Sequence, residues 1–198
     1  EVTFVERDDE LCRLAAHNLP LLGIGGVKVV QADCAEVLDS LPRQDMVFID
    51  PARRDEGGRK TVMLADCTPD VTRLADALLD AADWVLVKLS PMLDVSSAVG
   101  SLGCVAEIHV VGVHGECKEV LLLLHRDAMP NPAVHCIDLP SMAEPFVFDM
   151  ELEHVAACTS SAELVSLYFG FCFGSFRLLS QDIVFCDKDR EIKYYAKR

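Results

Sequence analysis

The sequence lacks the marks of several protein classes. No basic-then-apolar leader is seen at its start, Glu1. No apolar run approaches the ~20 residues of a membrane-spanning helix, and Val120 to Leu124 is among the longest. None of the nine cysteines shows CxxC spacing, and no Cys/His group has zinc-ligand spacing, so no metal site is expected. A disulfide framework suits smaller, secreted chains. Cys104, Cys117, Cys158 and Cys172 lie inside apolar runs and read as free, buried thiols in a reducing cytoplasm. Positive charge is scarce: 18 Lys and Arg face 32 Asp and Glu, a net charge of −14. That excludes broad, sequence-independent phosphate binding, although a local basic patch remains open. No DNA or membrane partner is expected, and oligomeric state is not legible. No internal repeat or low-complexity tract is seen.

What is present is an apolar chain of 198 residues, 51% hydrophobic. It can bury a core, so an ordered fold is expected rather than a disordered chain. Short β-rich runs alternate with helical stretches. Val2 to Val5 reads as a strand ending at Glu6. A helix follows with Leu11, Leu14, Ala15 and Leu19 at helical spacing, and Pro20 and Gly23 to Gly26 close it. Val27 to Val30 is a second strand and Met46 to Ile49 a third, with a short helix at Ala35 to Leu41 between them. Val71 to Ala82 is a helix, Trp84 to Leu89 a fourth strand, and Val95 to Leu102 a further helix. Ala106 to Val113 and Lys118 to Leu124 are too close in sequence for a parallel crossover, so they predict an antiparallel hairpin. The fold class is therefore α/β: a parallel sheet with helices on both faces, closed by a hairpin. After Arg126 the texture changes, and Met129 to Pro132 reads as a linker. This divides the chain into residues 1–126 and a small α+β appendage, 127–198. In the appendage, Phe146 to Asp149 and Ile183 to Cys186 suit strands and Glu163 to Phe169 a helix, while Phe169 to Phe176 has no assignment.

Ligands of an open parallel sheet bind beyond the carboxyl ends of its strands. Three strands here end on acids: Glu6, Asp33 and Asp50. Each also suits a helix cap. In a nucleoside site, Glu6 suits the two ribose hydroxyls and Asp33 the adenine amino group, with the Cys34 N–H beside the ring. Asp50 would face the acceptor. Arg53, Arg54, Arg59 and Lys60 follow on a polar loop, the most cationic stretch before the tail. They read as phosphate or carboxylate contacts, or as a solvated loop paired with Asp55 and Glu56. Lys88 and Ser90 end the next strand on the same rim.

The run Asp50-Pro51-Ala52-Arg53-Arg54-Asp55, followed by Gly58-Arg59-Lys60, resembles the motif of a bacterial family of class I S-adenosylmethionine-dependent methyltransferases with a C-terminal THUMP-like domain. Val5-Glu6, Leu11-Cys12, Ala16-His17-Asn18, Lys88-Leu89-Ser90-Pro91, Leu93-Asp94 and Glu116-Cys117-Lys118-Glu119 support it, over roughly Glu1 to Arg126. The resemblance implies a Rossmann-like sheet and S-adenosylmethionine as cofactor, held by Glu6, Asp33, Cys34 and Asp50. It implies Asp50 and Pro51 as catalytic residues and an RNA acceptor (tRNA or rRNA) met by Arg53, Arg54, Arg59, Lys60, Lys88 and Ser90. Asp50-Pro51 also resembles the Asp/Asn-Pro-Pro-aromatic motif of amino-group methyltransferases and the Asp-Pro-Pro-Arg motif of RNA uridine C5-methyltransferases. Ala52 and Arg53 replace the second proline and the aromatic of the first motif, which removes the stacking platform for a flipped base. No cysteine has the flanking motif required for uridine C5 chemistry.

Also lacking is the opening strand of that family with its glycine-rich turn. Gly23-Ile24-Gly25-Gly26 imitates the turn but follows the first helix, where it reads as a helix cap. The missing strand is the central one, and the strands on its two sides would lose their common partner. The expectation is therefore of further sequence upstream, of poor cofactor binding by residues 1–198 alone, and of no pairing between the first and third strands seen here. Two other readings stay open: a noncatalytic scaffold that keeps the fold, and a nicotinamide-dependent oxidoreductase, since Glu6 suits either cofactor.

Overall fold

The computed structural model describes residues 1–53, 63–140, 142 and 144–150, together with strands 182–186 and 192–196. The first unit is a parallel βαβ. Strand β1 (Val2–Glu6) leads into helix α1 (Asp9–Leu21) and back to β2 (Val27–Gln31), with Val2 opposite Val27 and Glu6 opposite Gln31. The Asp8 carboxylate caps α1 by accepting from the Glu10 and Leu11 N–H groups. The helix ends beyond Pro20 in a turn whose Gly23 and Gly26 have φ of +74° and +75°. Glycine carries no Cβ penalty there, so this run is the turn that its position after a helix suggested.

Helix α2 (Cys34–Val37) and a 3-10 turn (Leu38–Ser40) lead into β3 (Gln44–Ile49). A second 3-10 turn (Leu64–Asp66) precedes α3 (Val71–Ala81), which runs without a loop into β4 (Ala82–Leu89). Helix α4 (Val95–Leu102) ends at Gly103, φ +65°. The β5 (Val105–Val113) and β6 (Glu116–Leu124) hairpin follows. Its turn residues, His114 and Gly115, have φ of +53° and +79°, the conformation that fits two-residue hairpin loops.

The main sheet has six strands in the order β3-β4-β6-β5-β7-β8, where β7 is Ala133–Leu139 and β8 is Phe146–Asp149. Strands β3 and β4 are parallel, β6 runs antiparallel to both β4 and β5, and β7 is parallel to β5. The carboxyl ends of β3, β4, β5 and β7 thus share one edge. The expected hairpin is present, and the architecture is mixed α/β. Strands β9 (Asp182–Cys186) and β10 (Ile192–Ala196) form a separate antiparallel pair.

Two differences from the sequence expectation stand out. The sheet runs across the expected division at residues 126/127, because β7 pairs with β5 from Glu107/Ala133 to Val113/Leu139. The expected helix at 163–169 lies outside the described residues, as does the unassigned 169–176 stretch. Helices on both faces of the main sheet were expected. Among the described residues, α3 and α4 bury one face, where Val71, Leu78 and Val95 meet Val85, Val87, Ile108, Leu122 and Val134. On the opposite side Met46 and Phe48 remain 51% and 59% exposed.

The first and third strands do not pair with each other. Among the described residues, strand β1 pairs with β2 alone and β3 with β4 alone, giving two sheets that no ladder joins.

Candidate functional site

The strand-end acids fall into two groups. Glu6 and Asp33 lie at the carboxyl ends of the neighbouring strands β1 and β2. The Glu6 Oε1 accepts from the Asp8 N–H at 2.9 Å, and the Glu6 carbonyl accepts from the Cys12 Sγ at 3.2 Å and the Ala32 N–H at 3.0 Å. Asp33 caps α2, its Oδ1 accepting from the Ala35 N–H at 2.9 Å. Each carboxylate thus spends one oxygen on the local turn. Among the described residues, no donor meets the other oxygen of either. Cys34 is half-buried beside them, and burial, then the Asp33 charge, pushes its thiol up from the ordinary value of 9.0. The cap role and a ligand role at Asp33 are therefore compatible, since they use different oxygens.

The second group centres on Asp50, the first residue after β3. Its Oδ2 lies 2.6 Å from the Lys88 Nζ of β4, and the Glu119 Oε1 of β6 lies 3.9 Å from the same nitrogen. The sheet register explains the meeting. Ile49 faces Val87 across β3–β4, and Leu89 faces Val120 across β4–β6. Residues 50, 88 and 119 thereby converge at one edge. The alternation of β4 buries Val85, Val87 and Leu89 and sends Lys88 to the other face. The bond to Asp50 raises the Lys88 ammonium above its ordinary 10.5, partly opposed by desolvation.

Pro51 is buried, and Ala52 forms an isolated antiparallel bridge with Thr68 through hydrogen bonds of 2.8 and 3.0 Å. The chain leaving Asp50 is thereby pinned before the basic residues that follow in sequence. Arg53 is half-buried and close enough to Cys67 to lower its thiol, against the larger upward effect of burial. Arg54, Arg59 and Lys60 lie outside the described residues. Ser90 turns its oxygen to the Met92 N–H at 3.4 Å, and the Asp94 carboxylate caps α4 by accepting from the Ser97 N–H. The structure thus brings Asp50 and Lys88 together. It groups Glu6 with Asp33 and Cys34 separately and gives Ser90 a turn bond. Glu119, part of the motif-bearing hairpin, was not singled out as a site residue. Its only sequence signal was the Glu116-Cys117-Lys118-Glu119 run.

A cleft of about 490 Å³ lies between α1 and β2, lined by Ala16, Leu19, Ile24 and Val27 among others. It sits at the amino end of β2, away from the strand-end acids. Among the described residues no cluster of three or more His, Cys, Asp or Glu is arranged to hold a metal, and no helix is long and apolar enough to cross a membrane.

Comparison with known proteins bears on this geometry. No family model matches the chain. Two curated proteins of Mycobacterium tuberculosis, from strains CDC 1551 and H37Rv, are each 38% identical to it over 111 residues. Both are described as uncharacterized S-adenosylmethionine-dependent methyltransferases. The chain resembles methyltransferases. Those 111 residues are 55% of this chain and 28% of each relative. The crystal structure of a protein assigned as a methyltransferase from Porphyromonas gingivalis W83 superposes with a TM-score of 0.68 at 36% identity. It covers 79% of this chain, and the match spans 40% of its own length.

Proposed function

We propose that the protein transfers a methyl group from S-adenosylmethionine to a nucleophilic atom of RNA, in the cytoplasm, on a class I, Rossmann-like sheet. The observation that carries the reading is the Asp50 carboxylate at the carboxyl edge, fixed through one oxygen by Lys88. It stands in a chain similar to S-adenosylmethionine-dependent methyltransferases. The available carboxylate oxygens of Glu6 and Asp33 suit a nucleoside, the first meeting ribose hydroxyls and the second the adenine amino group. The Cys34 N–H would lie against the ring.

When bound, S-adenosylmethionine supplies an electrophilic methyl on a sulfonium. Asp50 then acts on the acceptor. Its second oxygen accepts a hydrogen from the attacking nitrogen or oxygen, which aims the lone pair at the methyl carbon. Holding the nucleophile in a near-attack position supplies much of the rate. As the bond to the methyl would form, the carbon–sulfur bond would break with its electron pair leaving on the neutral thioether, the acceptor would become acidic, and Asp50 can take its proton. Pro51, buried behind Asp50, fixes the backbone. Arg53, with Arg54, Arg59 and Lys60, suits phosphate contact, which is the support for an RNA acceptor despite the net charge of −14.

The test is transfer of labelled methyl from S-adenosylmethionine by the full-length protein to total RNA, DNA and protein in parallel. Label in RNA that disappears in Asp50→Ala is expected. Failure of the full-length protein to bind S-adenosylmethionine in calorimetry overturns the methyltransferase reading. Label confined to DNA, protein or small molecules overturns the acceptor.

A further inference from the structure

By its place at a strand end in the sequence, Lys88 belongs with the cations that meet the acceptor. Its surroundings give it a different task. Lys88 is 30% exposed and lies between two carboxylates, 2.6 Å from Asp50 and 3.9 Å from Glu119. The three side chains together carry a net charge of −1, a poor surface for a phosphate. The ammonium is committed to Asp50 at the distance of a strong charge-assisted hydrogen bond. The contacts come from three strands whose register is fixed by buried neighbours. Val87 and Leu89 flank Lys88, and Val120 adjoins Glu119; the three are at most 1% exposed. A side chain rooted in one strand, with its ammonium between carboxylates at the edges of two others, has little freedom to follow a substrate.

We infer that Lys88 is a positioning residue: it holds one oxygen of Asp50 so that the other faces the acceptor, and Glu119 holds Lys88 in turn. This rests on the proposed methyl transfer, and it assigns the edge of β4 and β6 to the reaction centre rather than to the RNA contact surface. Without Lys88, the Asp50 carboxylate turns about its χ angles and its charge is unopposed. The acceptor still binds, but it meets Asp50 in the productive orientation only part of the time. The effect therefore falls on kcat and spares affinity.

The experiment compares Lys88→Met, Lys88→Arg and Glu119→Gln in the full-length protein with whichever acceptor the wild type labels. Lys88→Met is expected to lower kcat by about 10²-fold, the order of loss when a reacting group is misplaced by an ångström. KM should change little. Lys88→Arg keeps a cation within reach of Asp50 and should recover most of that loss, while Glu119→Gln gives a smaller drop in kcat. Thermal unfolding of each variant separates these changes from misfolding. A second measurement needs no turnover: the salt dependence of RNA binding. A lysine that contacts phosphate contributes about 0.7 to 0.9 to the slope of log K against log salt. The slope should be the same in wild type and Lys88→Met. A lower slope with kcat intact overturns the inference. So does a folded Lys88→Met enzyme with wild-type kcat. A wild type that transfers no methyl overturns the proposed function instead. A slope lowered by Lys88→Met would still refute the positioning role in that case, and an unchanged one would support the commitment of Lys88 to its carboxylates.

Discussion

Asp138, on β7, is 5% exposed. Its Oδ1 accepts from the Gly115 N–H at 2.9 Å, and the neighbouring Leu139 carbonyl accepts from the His114 N–H at 3.1 Å. Strand β7 thus holds the tip of a hairpin to which it is not joined by a turn. Asp138→Ala removes the acceptor and leaves the Gly115 N–H without it. A hydrogen bond to a charged group contributes ~1.5–3 kcal/mol. Asp138→Asn keeps an oxygen at the same place and loses only the charge, so about 1 kcal/mol should go. With a urea slope of ~1–3 kcal/mol per molar, a loss of about 2 kcal/mol in Asp138→Ala moves the midpoint down by roughly 1 M. The local readout is amide exchange at Gly115, which should quicken in Asp138→Ala and stay slow in Asp138→Asn. If Asp138→Ala unfolds at the wild-type midpoint and Gly115 exchanges at the wild-type rate, the proposed lock does not exist. Equal losses in the two variants would mean that charge, not the acceptor, holds the turn.

Three further outcomes follow from the geometry. Gly115→Ala meets nothing within 4 Å but keeps φ at +79°, so its cost should be purely conformational, ~1–2 kcal/mol, measured by the same titration. Asp33→Ala should cost about 1 kcal/mol of stability through the lost α2 cap, and Asp33→Asn only tenths, because asparagine caps equally well. If Asp33 also holds adenine, Asp33→Asn of the full-length protein weakens S-adenosylmethionine binding at unchanged stability; unaltered affinity in calorimetry would confine Asp33 to capping. The thiols of Cys34, Cys67 and Cys104 are all raised above 9.0, chiefly by burial. A raised folded value means that the folded state holds these protons more tightly. Their contribution is complete below pH 9 and is lost as pH climbs through the folded values. Stability against urea should therefore decline above about pH 9, and replacing the three with alanine or serine should flatten that limb.

Strand and helix alternation up to Leu124 was legible because it is local. Apolar runs ending on Glu6, Asp33 and Asp50 announced β1, the turn after β2, and β3, and the short link after Val113 announced the hairpin. Strand β7 was not announced. It follows a Pro-Asn-Pro run that reads as a linker, and it places His135 and the buried Asp138 among its apolar residues. Only its pairing with β5, more than twenty residues away, explains why that pattern is a strand. The same limit applies to the site. The Asp50-Pro51 motif can be read from neighbours in sequence. That Lys88 belongs to Asp50 depends on a register across 38 residues and on the alternation that turns Lys88 away from the α3 side.

The separation into two sheets has a consequence for opening. In the β1–α1–β2 unit only Cys12 is buried, while the fully buried side chains concentrate in β4, β5, β6 and the helices upon them. Amides in the first unit should exchange through a low-energy local opening, and those at the centre of the six-stranded sheet only near global unfolding. Glu6 and Asp33 thus stand on the less protected cooperative unit, and Asp50, Lys88 and Glu119 on the more protected one. A nucleoside held by the first pair would order the part of the molecule with most to gain from it, and its arrival would be visible as slowed exchange in residues 2–31 rather than at the reacting edge.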